Sequence, residues 1–200
     1  MGASGLILLS ALAGGGYYAY RAGYLDKLFA AAGNAASGSG NTGGSIFTPA
    51  SSPAVGANQW EQVLLDNWEY VLPWARANYQ WVAAMIQQES GSMGSRALGS
   101  AGEIGLMQVK PSTAQEMVNR GYGQFLPTAA VMATDAGGVY FGTAYLQYLS
   151  TIKSDRAWIT QAYNGGPGWE SLSDSYKAAR AAYLAGVTAK FKALYGGVAV

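Results

Sequence analysis

The chain has 200 residues, half of them hydrophobic, with a formal net charge of +1 and neither cysteine nor histidine. That length buries one domain core with chain left over, and the near-zero charge argues against nucleic acid as the main partner. The missing residue types exclude disulfides, thiol nucleophiles, Ser/His triads and the usual zinc clusters, so no metal and no other cofactor is expected.

Residues 1–20, MGASGLILLSALAGGGYYAY, carry no charge. As a helix, residues 2–20 would span about 28 Å, close to the roughly 30 Å hydrocarbon core of a bilayer. Leu6, Ile7, Leu8, Leu9 and Leu12 favour insertion, and Tyr17, Tyr18 and Tyr20 ahead of Arg21 read as an interfacial belt and stop. Residues 1–30 are therefore expected to form a transmembrane anchor with its flank, which makes a lipid bilayer a partner. Two readings compete. A cleaved signal peptide has its small-x-small site in Ala11-Leu12-Ala13 but lacks a preceding Lys or Arg, and a buried soluble helix is disfavoured by Gly14 to Gly16. Arg21 and Lys27 after the span favour a cytoplasmic position for the rest of the chain.

Residues 31–58 carry no charge and are dense in Gly, Ala, Ser and Pro, the composition of a flexible tether. An extended segment docked on a partner through Ile46 and Phe47 is the other reading of the same stretch. The main domain is expected over 59–200. Residues 59–72 regain helical periodicity through Trp60, Val63, Leu64, Trp68 and Val71, and Pro73 ends that helix or starts the next. Trp60, Trp68, Trp74 and Trp81 are read as core in preference to a sugar-stacking surface.

In YQWVAAMIQQES, Val82, Met85 and Ile86 stand seven, four and three positions before Glu89, so a helix places Glu89 on their inward face. Ser90-Gly91 reads as the helix stop, which puts Glu89 in the last turn, where the carbonyl ends disfavour a negative charge. Burial and that field both favour the protonated acid, the state a general acid needs near neutral pH. A solvated or ordinarily paired glutamate is the competing reading. The loop Ser100-Ala101-Gly102-Glu103-Ile104-Gly105-Leu106-Met107-Gln108 is punctuated by glycine and ends in an amide able to meet a sugar. After it, Ser112 or Thr113 is expected to cap a helix with Glu116 in its first turn. Residues 134–150 form a helix rich in small residues, 157–164 another, broken by Gly165-Gly166-Pro167-Gly168, and roughly 175–195 the last. No alternating strand pattern occurs.

Glu89-Ser90, then Gly105-Leu106-Met107-Gln108 with Pro111-Ser112-Thr113-Ala114, then Ala162-Tyr163-Asn164-Gly165-Gly166, resemble the family 1 soluble lytic transglycosylases, the goose-lysozyme-like catalytic domain, over roughly residues 75–195. The resemblance implies an all-α, lysozyme-like fold and a peptidoglycan substrate. It implies that Glu89 is the sole catalytic acid and base and that the Tyr163 hydroxyl holds its carboxyl. Ser100, Gln108 and Asn164 would bind the glycan, and Met107 would form an apolar wall. Glu103 and Gly138 depart from the family pattern, which usually has alanine and asparagine there.

The implied reaction opens the bond between N-acetylmuramic acid and N-acetylglucosamine with a 1,6-anhydro end. Anchoring in a virion membrane, with local wall opening for phage genome entry, is the favoured setting, and the bacterial envelope is the alternative. Virion or secretion-complex proteins are the expected partners. Two other functions stay open: a lysozyme-type hydrolase using Glu103 or Asp135 as second carboxylate, and a structural virion or secretion protein whose lysozyme-like domain only binds glycan.

Overall fold

The computed structural model describes residues 58–196. The expected anchor over 1–30 and residues 31–57 of the expected tether lie outside the described residues. Among the described residues no helix is long and apolar enough to cross a membrane.

The architecture is helical: α1 (Gln59–Asp66), α2 (Pro73–Ala77), α3 (Tyr79–Glu89), α4 (Pro111–Asn119), α5 (Ala129–Met132), α6 (Asp135–Ile152), α7 (Arg156–Gly165) and α8 (Asp174–Tyr195). Three short 3-10 turns lie at Trp68–Tyr70, Gly91–Arg96 and Trp169–Ser171. The nearest approach to a sheet among the described residues is a pair of isolated bridges, Leu98 with Ile104 and Ile104 with Val109.

α3 is the axis of the core. Trp81 through Ile86 are all buried, because the face bearing Val82, Met85 and Ile86 is backed by the small Ala83 and Ala84, and a helix apolar all round is covered on every side. Its principal neighbour is α8, with α1 on a further flank. The Trp81 indole N–H donates to the Thr160 hydroxyl at 2.9 Å, which satisfies the one polar atom that this large side chain takes into the core. Trp60 and Trp81 are buried, and Trp68 and Trp74 pack partly buried against the same core.

α6 is the second long core element. Its residues from Ala136 to Leu146 are buried without a break, and its glycines admit the 99–110 loop at close range. A Cβ at Gly138 would come within 2.8 Å of the Leu106 Cβ, and one at Gly142 would fall on the Met107 side chain. Gly138, where the family pattern usually has asparagine, leaves the space into which the Leu106 Cβ packs.

The first predicted helix is shorter than its periodicity suggests. Asn58 caps α1 by accepting from the Trp60 and Glu61 N–H groups, but the helix stops at Asp66, where the Asn67 side chain donates to the Val63 carbonyl at 2.9 Å. Pro73 starts the next helix, as its fixed φ and missing N–H allow at the first helical position. The Asn58 amide also donates to the Tyr195 hydroxyl at 3.0 Å, and that hydroxyl donates to Glu61 Oε2 at 2.8 Å. Both ends of the described domain meet in this clasp.

The cap predicted for α4 is also displaced. Pro111 is its first residue and Lys110 its N-cap, with no side-chain cap from Ser112 or Thr113 and no acid in the first turn. α8 opens on the Ser173 side chain, which accepts from the Tyr176 N–H, and ends at Gly196 in the left-handed conformation.

Candidate active site

A cleft of about 480 Å³ opens between the end of α3, the 99–110 loop and the start of the segment after α7. Glu89, Ser100, Gln108, Tyr163 and Asn164 line it, together with Glu103, Lys110, Tyr145 and Tyr176. Of the six expected site residues, five therefore come together on one cavity from three separate stretches of sequence.

Met107 is the exception. Its side chain is fully buried and packs against α6 at Gly142, so it belongs to the floor beneath the cleft and not to an apolar wall. The physical reason lies in the turn around it. Gly105 has φ +79, and any side chain there would meet the Met132 carbonyl. This left-handed turn drives Leu106 and Met107 inward while Gln108 returns to the surface.

Gln108 is held in a conformation that few non-glycine residues adopt, with φ +48. Its side-chain Nε2 donates to the Ala97 carbonyl at 3.0 Å and the Gly105 carbonyl at 2.8 Å. Those two bonds fix the turn and leave the amide carbonyl as the group able to meet a ligand. Strain of this kind persists where the surroundings over-determine it, and it clusters at functional sites.

Glu89 occupies the last turn of α3, and Ser90 follows as the C-cap, its hydroxyl returned to the Ile86 carbonyl at 3.2 Å. Burial, acting against a hydrogen bond from Tyr183 and aided by the charge of Glu103, pushes the Glu89 carboxyl up to about 7. The Tyr183 hydroxyl donates to Glu89 Oε1 at 2.5 Å. A group poised near 7 is suited to give and take a proton at neutral pH.

The expected bond from Tyr163 to Glu89 is not formed. Tyr163 donates to the Met107 carbonyl at 2.7 Å, and so it ties α7 to the floor of the loop. Its ring packs against Tyr145 with centroids 5.4 Å apart. The orienting hydroxyl comes instead from α8, where Tyr183, Val187 and Phe191 form the buried stripe. A repeat of four running Tyr183, Val187, Phe191, Tyr195 is visible in the sequence and marks an inward face. That signal identifies Tyr183 as inward-facing, although not as the partner of Glu89.

Asp135, one of two candidates for a second carboxylate, does not reach the cleft. It is an exposed residue in the first turn of α6. Glu103 does reach it, and it pairs with Lys110 at 3.5 Å. Ser100 and Asn164 are both exposed at the cleft, and the Asn164 carbonyl accepts from Arg180 Nη1 at 2.9 Å, which leaves the side-chain amide directed by a fixed backbone. Among the described residues no cluster of His, Cys, Asp and Glu has the makings of a metal site.

One partly buried acid near neutrality, one hydroxyl holding it, and a polar loop beside it make an arrangement suited to proton transfer. Residues 74–187, more than half of the chain, match the family model for the transglycosylase SLT domain. The span takes in Glu89, the 99–110 loop, the Ala162 to Gly166 motif and Tyr183. The chain belongs to the SLT-domain transglycosylases, enzymes with lytic transglycosylase activity on peptidoglycan.

Proposed function

We propose that this chain cleaves the β-1,4 bond between N-acetylmuramic acid and N-acetylglucosamine and closes a 1,6-anhydro ring on the muramoyl product, with Glu89 as both acid and base. The observation that carries this reading is the Glu89 carboxyl, raised to about 7 by burial and held by Tyr183. Protonated Glu89 gives its proton to the glycosidic oxygen, which leaves with the electrons of the C1–O bond. The resulting carboxylate takes the proton of the muramoyl C6 hydroxyl as that oxygen adds to C1. Attack from within the same sugar carries a high effective molarity, so an activated water is unnecessary. Ser100, Gln108 and Asn164 hold the glycan along the cleft.

Mass spectrometry of the fragments released from purified peptidoglycan tests it. Anhydro-muramoyl products, lighter than hydrolytic ones by one water, are expected from the parent and absent from Glu89→Gln. Parental digestion by the variant would end the assignment.

The setting we propose is a membrane, that of a virion in preference to a bacterial envelope, where local opening of the wall serves genome entry. The support is the uncharged apolar run of residues 1–20 and the uncharged stretch over 31–58. Partition of the full chain into vesicles, compared with a chain lacking residues 1–30, tests the anchor; equal partition would remove it.

A further inference from the structure

Two carboxyl groups line the cleft, and the reaction described so far uses one. We propose that Glu103 is a second functional carboxylate of this site, a fixed negative charge that stabilises the positive charge building on the sugar ring as the glycosidic bond breaks. The role rests on the transglycosylation reading of Glu89 and assigns that reaction a charge-stabilising group.

The geometry is that of a carboxylate held in place. Its Oε2 accepts from the Ala101 N–H at 3.0 Å, and its Oε1 faces the Lys110 ammonium at 3.5 Å. The Glu103 backbone is locked as well, since its carbonyl accepts from the Gly99 N–H at 2.8 Å. Gly99 is the residue that makes room: any side chain there would fall on Glu103 Oε2 and crowd Gln108 Oε1. Loop, glycine and carboxylate fit together so that the charge stands at the cleft surface beside Gln108.

The state of the group agrees with its placement. Its own backbone N–H, then that of Ala101 and the Lys110 charge, hold the Glu103 carboxyl below the usual carboxylate range. Glu89, in the same cleft, goes the other way. Two carboxyls whose surroundings drive them apart divide the work of acid and anion between them.

The Tyr183 hydroxyl bonds the Glu89 carboxyl and the Glu103 charge acts on it, while the other polar groups nearby turn to partners of their own. Tyr183 approaches from α8, with Arg180 one turn before it tied to Asn164; Tyr163 stands on α7 and Tyr145 on α6; Glu103 and Lys110 come from the loop. Burial raises the three phenols above their ordinary values, so they stay neutral. Glu103 is the anion of the set.

Glu103 itself forms no bond and exchanges no proton. The glycosidic oxygen takes the Glu89 proton and the C1–O electron pair. Positive charge spreads over C1 and the ring oxygen. The C6 oxygen then adds to C1 as its proton passes to Glu89. A preorganised charge aimed at such a transition state acts on the chemical step and not on ground-state binding.

A stapling role for the Glu103–Lys110 pair is the plainer account, and the test separates the two. Half-exposed ion pairs contribute little to stability, and Glu103→Gln keeps an acceptor for the Ala101 N–H while removing the charge. Parent, Glu103→Gln and Glu103→Asp, as full chains, are compared on purified peptidoglycan across pH, and the Glu89 carboxyl is titrated by carbon NMR. The expected result for Glu103→Gln is a kcat lower by about 10-fold to 100-fold with KM little changed. The Glu89 titration and the basic limb of the rate profile both move to lower pH, because the charge that raised Glu89 is gone. Glu103→Asp keeps the charge and recovers part of kcat, with the products still anhydro.

Parental kcat in both variants with an unmoved Glu89 titration would overturn the proposal. So would reducing-end products from the parent that disappear in Glu103→Gln, which would make Glu103 a base. A parent that releases no fragments at all would instead remove the transglycosylation reading, and this role with it. The NMR titration would still report whether the two charges are coupled, which distinguishes the two failures.

Discussion

Tyr183 and Glu89, 94 residues apart in the chain, meet through a hydrogen bond of 2.5 Å from phenol to carboxylate. The bond favours the ionised form of a group that burial pushes toward the neutral one, so α8 sets how far the acid is raised as well as where it points.

Tyr183→Phe removes a bond that lowers the Glu89 value. The acid then stays protonated to higher pH, and the basic limb of kcat/KM moves upward, opposite to the shift expected for Glu103→Gln. Loss of orientation lowers kcat/KM by about 10-fold to 100-fold. A pH–rate profile of the variant checks both the direction and the size, and a downward shift would contradict the geometry.

Glu89 also makes stability depend on pH. Its value rises from 4.5 to about 7 on folding, so between those limits the folded chain holds a proton that the unfolded chain has released. Its stability contribution is fully present below about 4.5 and is lost as pH rises toward 7, by about 3 kcal/mol for a shift of this size. Glu89→Gln takes away the charged form and should equal the parent near pH 4.5 and exceed it above pH 7. Denaturant titrations at the two pH values measure the difference.

Tyr163→Phe should behave differently from Tyr183→Phe. It deprives the Met107 carbonyl of its donor, leaving a buried acceptor unpaired at a cost of about 1–3 kcal/mol. The melting temperature falls while the basic limb of the rate profile stays in place, since the hydroxyl does not touch Glu89. A shifted limb without a stability loss would return Tyr163 to the orienting role.

Gly142→Ala places a methyl on the Met107 side chain. Overpacking of this kind costs about 1–3 kcal/mol, and the strain falls on the turn that carries Gln108. Reduced stability with a raised KM for peptidoglycan is expected, and thermal melts alongside kinetics record both. An exposed glycine with open space around it, Gly168, serves as the control that should change neither.

Short-range spacing made the α3 helix and the inward face of Glu89 legible in the sequence, because both are decided within eleven residues. The cleft was legible because Glu89, Gln108 and Asn164 sit in motifs whose order carries over, with Ser100 in the loop between the first two. Contacts between distant elements decided what escaped. Tyr163 and Tyr183 are both inward tyrosines near helical stripes, and only the crossing of α3 with α8 decides which hydroxyl reaches Glu89. Met107 was misplaced for a similar reason, because a left-handed glycine two residues earlier reverses the side to which it points. The early end of α1 came from Asn67 bonding back to its own helix, a local competition that the apolar period does not register.

The clasp of Asn58, Glu61 and Tyr195 has a mechanical meaning. Chain entering at residue 58 and chain leaving after Tyr195 grip the same hydroxyl, so tension applied at either end is taken up at one corner of the domain. The same helix, α8, carries Tyr195 at that corner and Tyr183 at the Glu89 carboxyl, so the clasp and the cleft are joined by one rigid element. A pull or a loosening at that corner is therefore transmitted along α8 toward the hydroxyl that holds the acid.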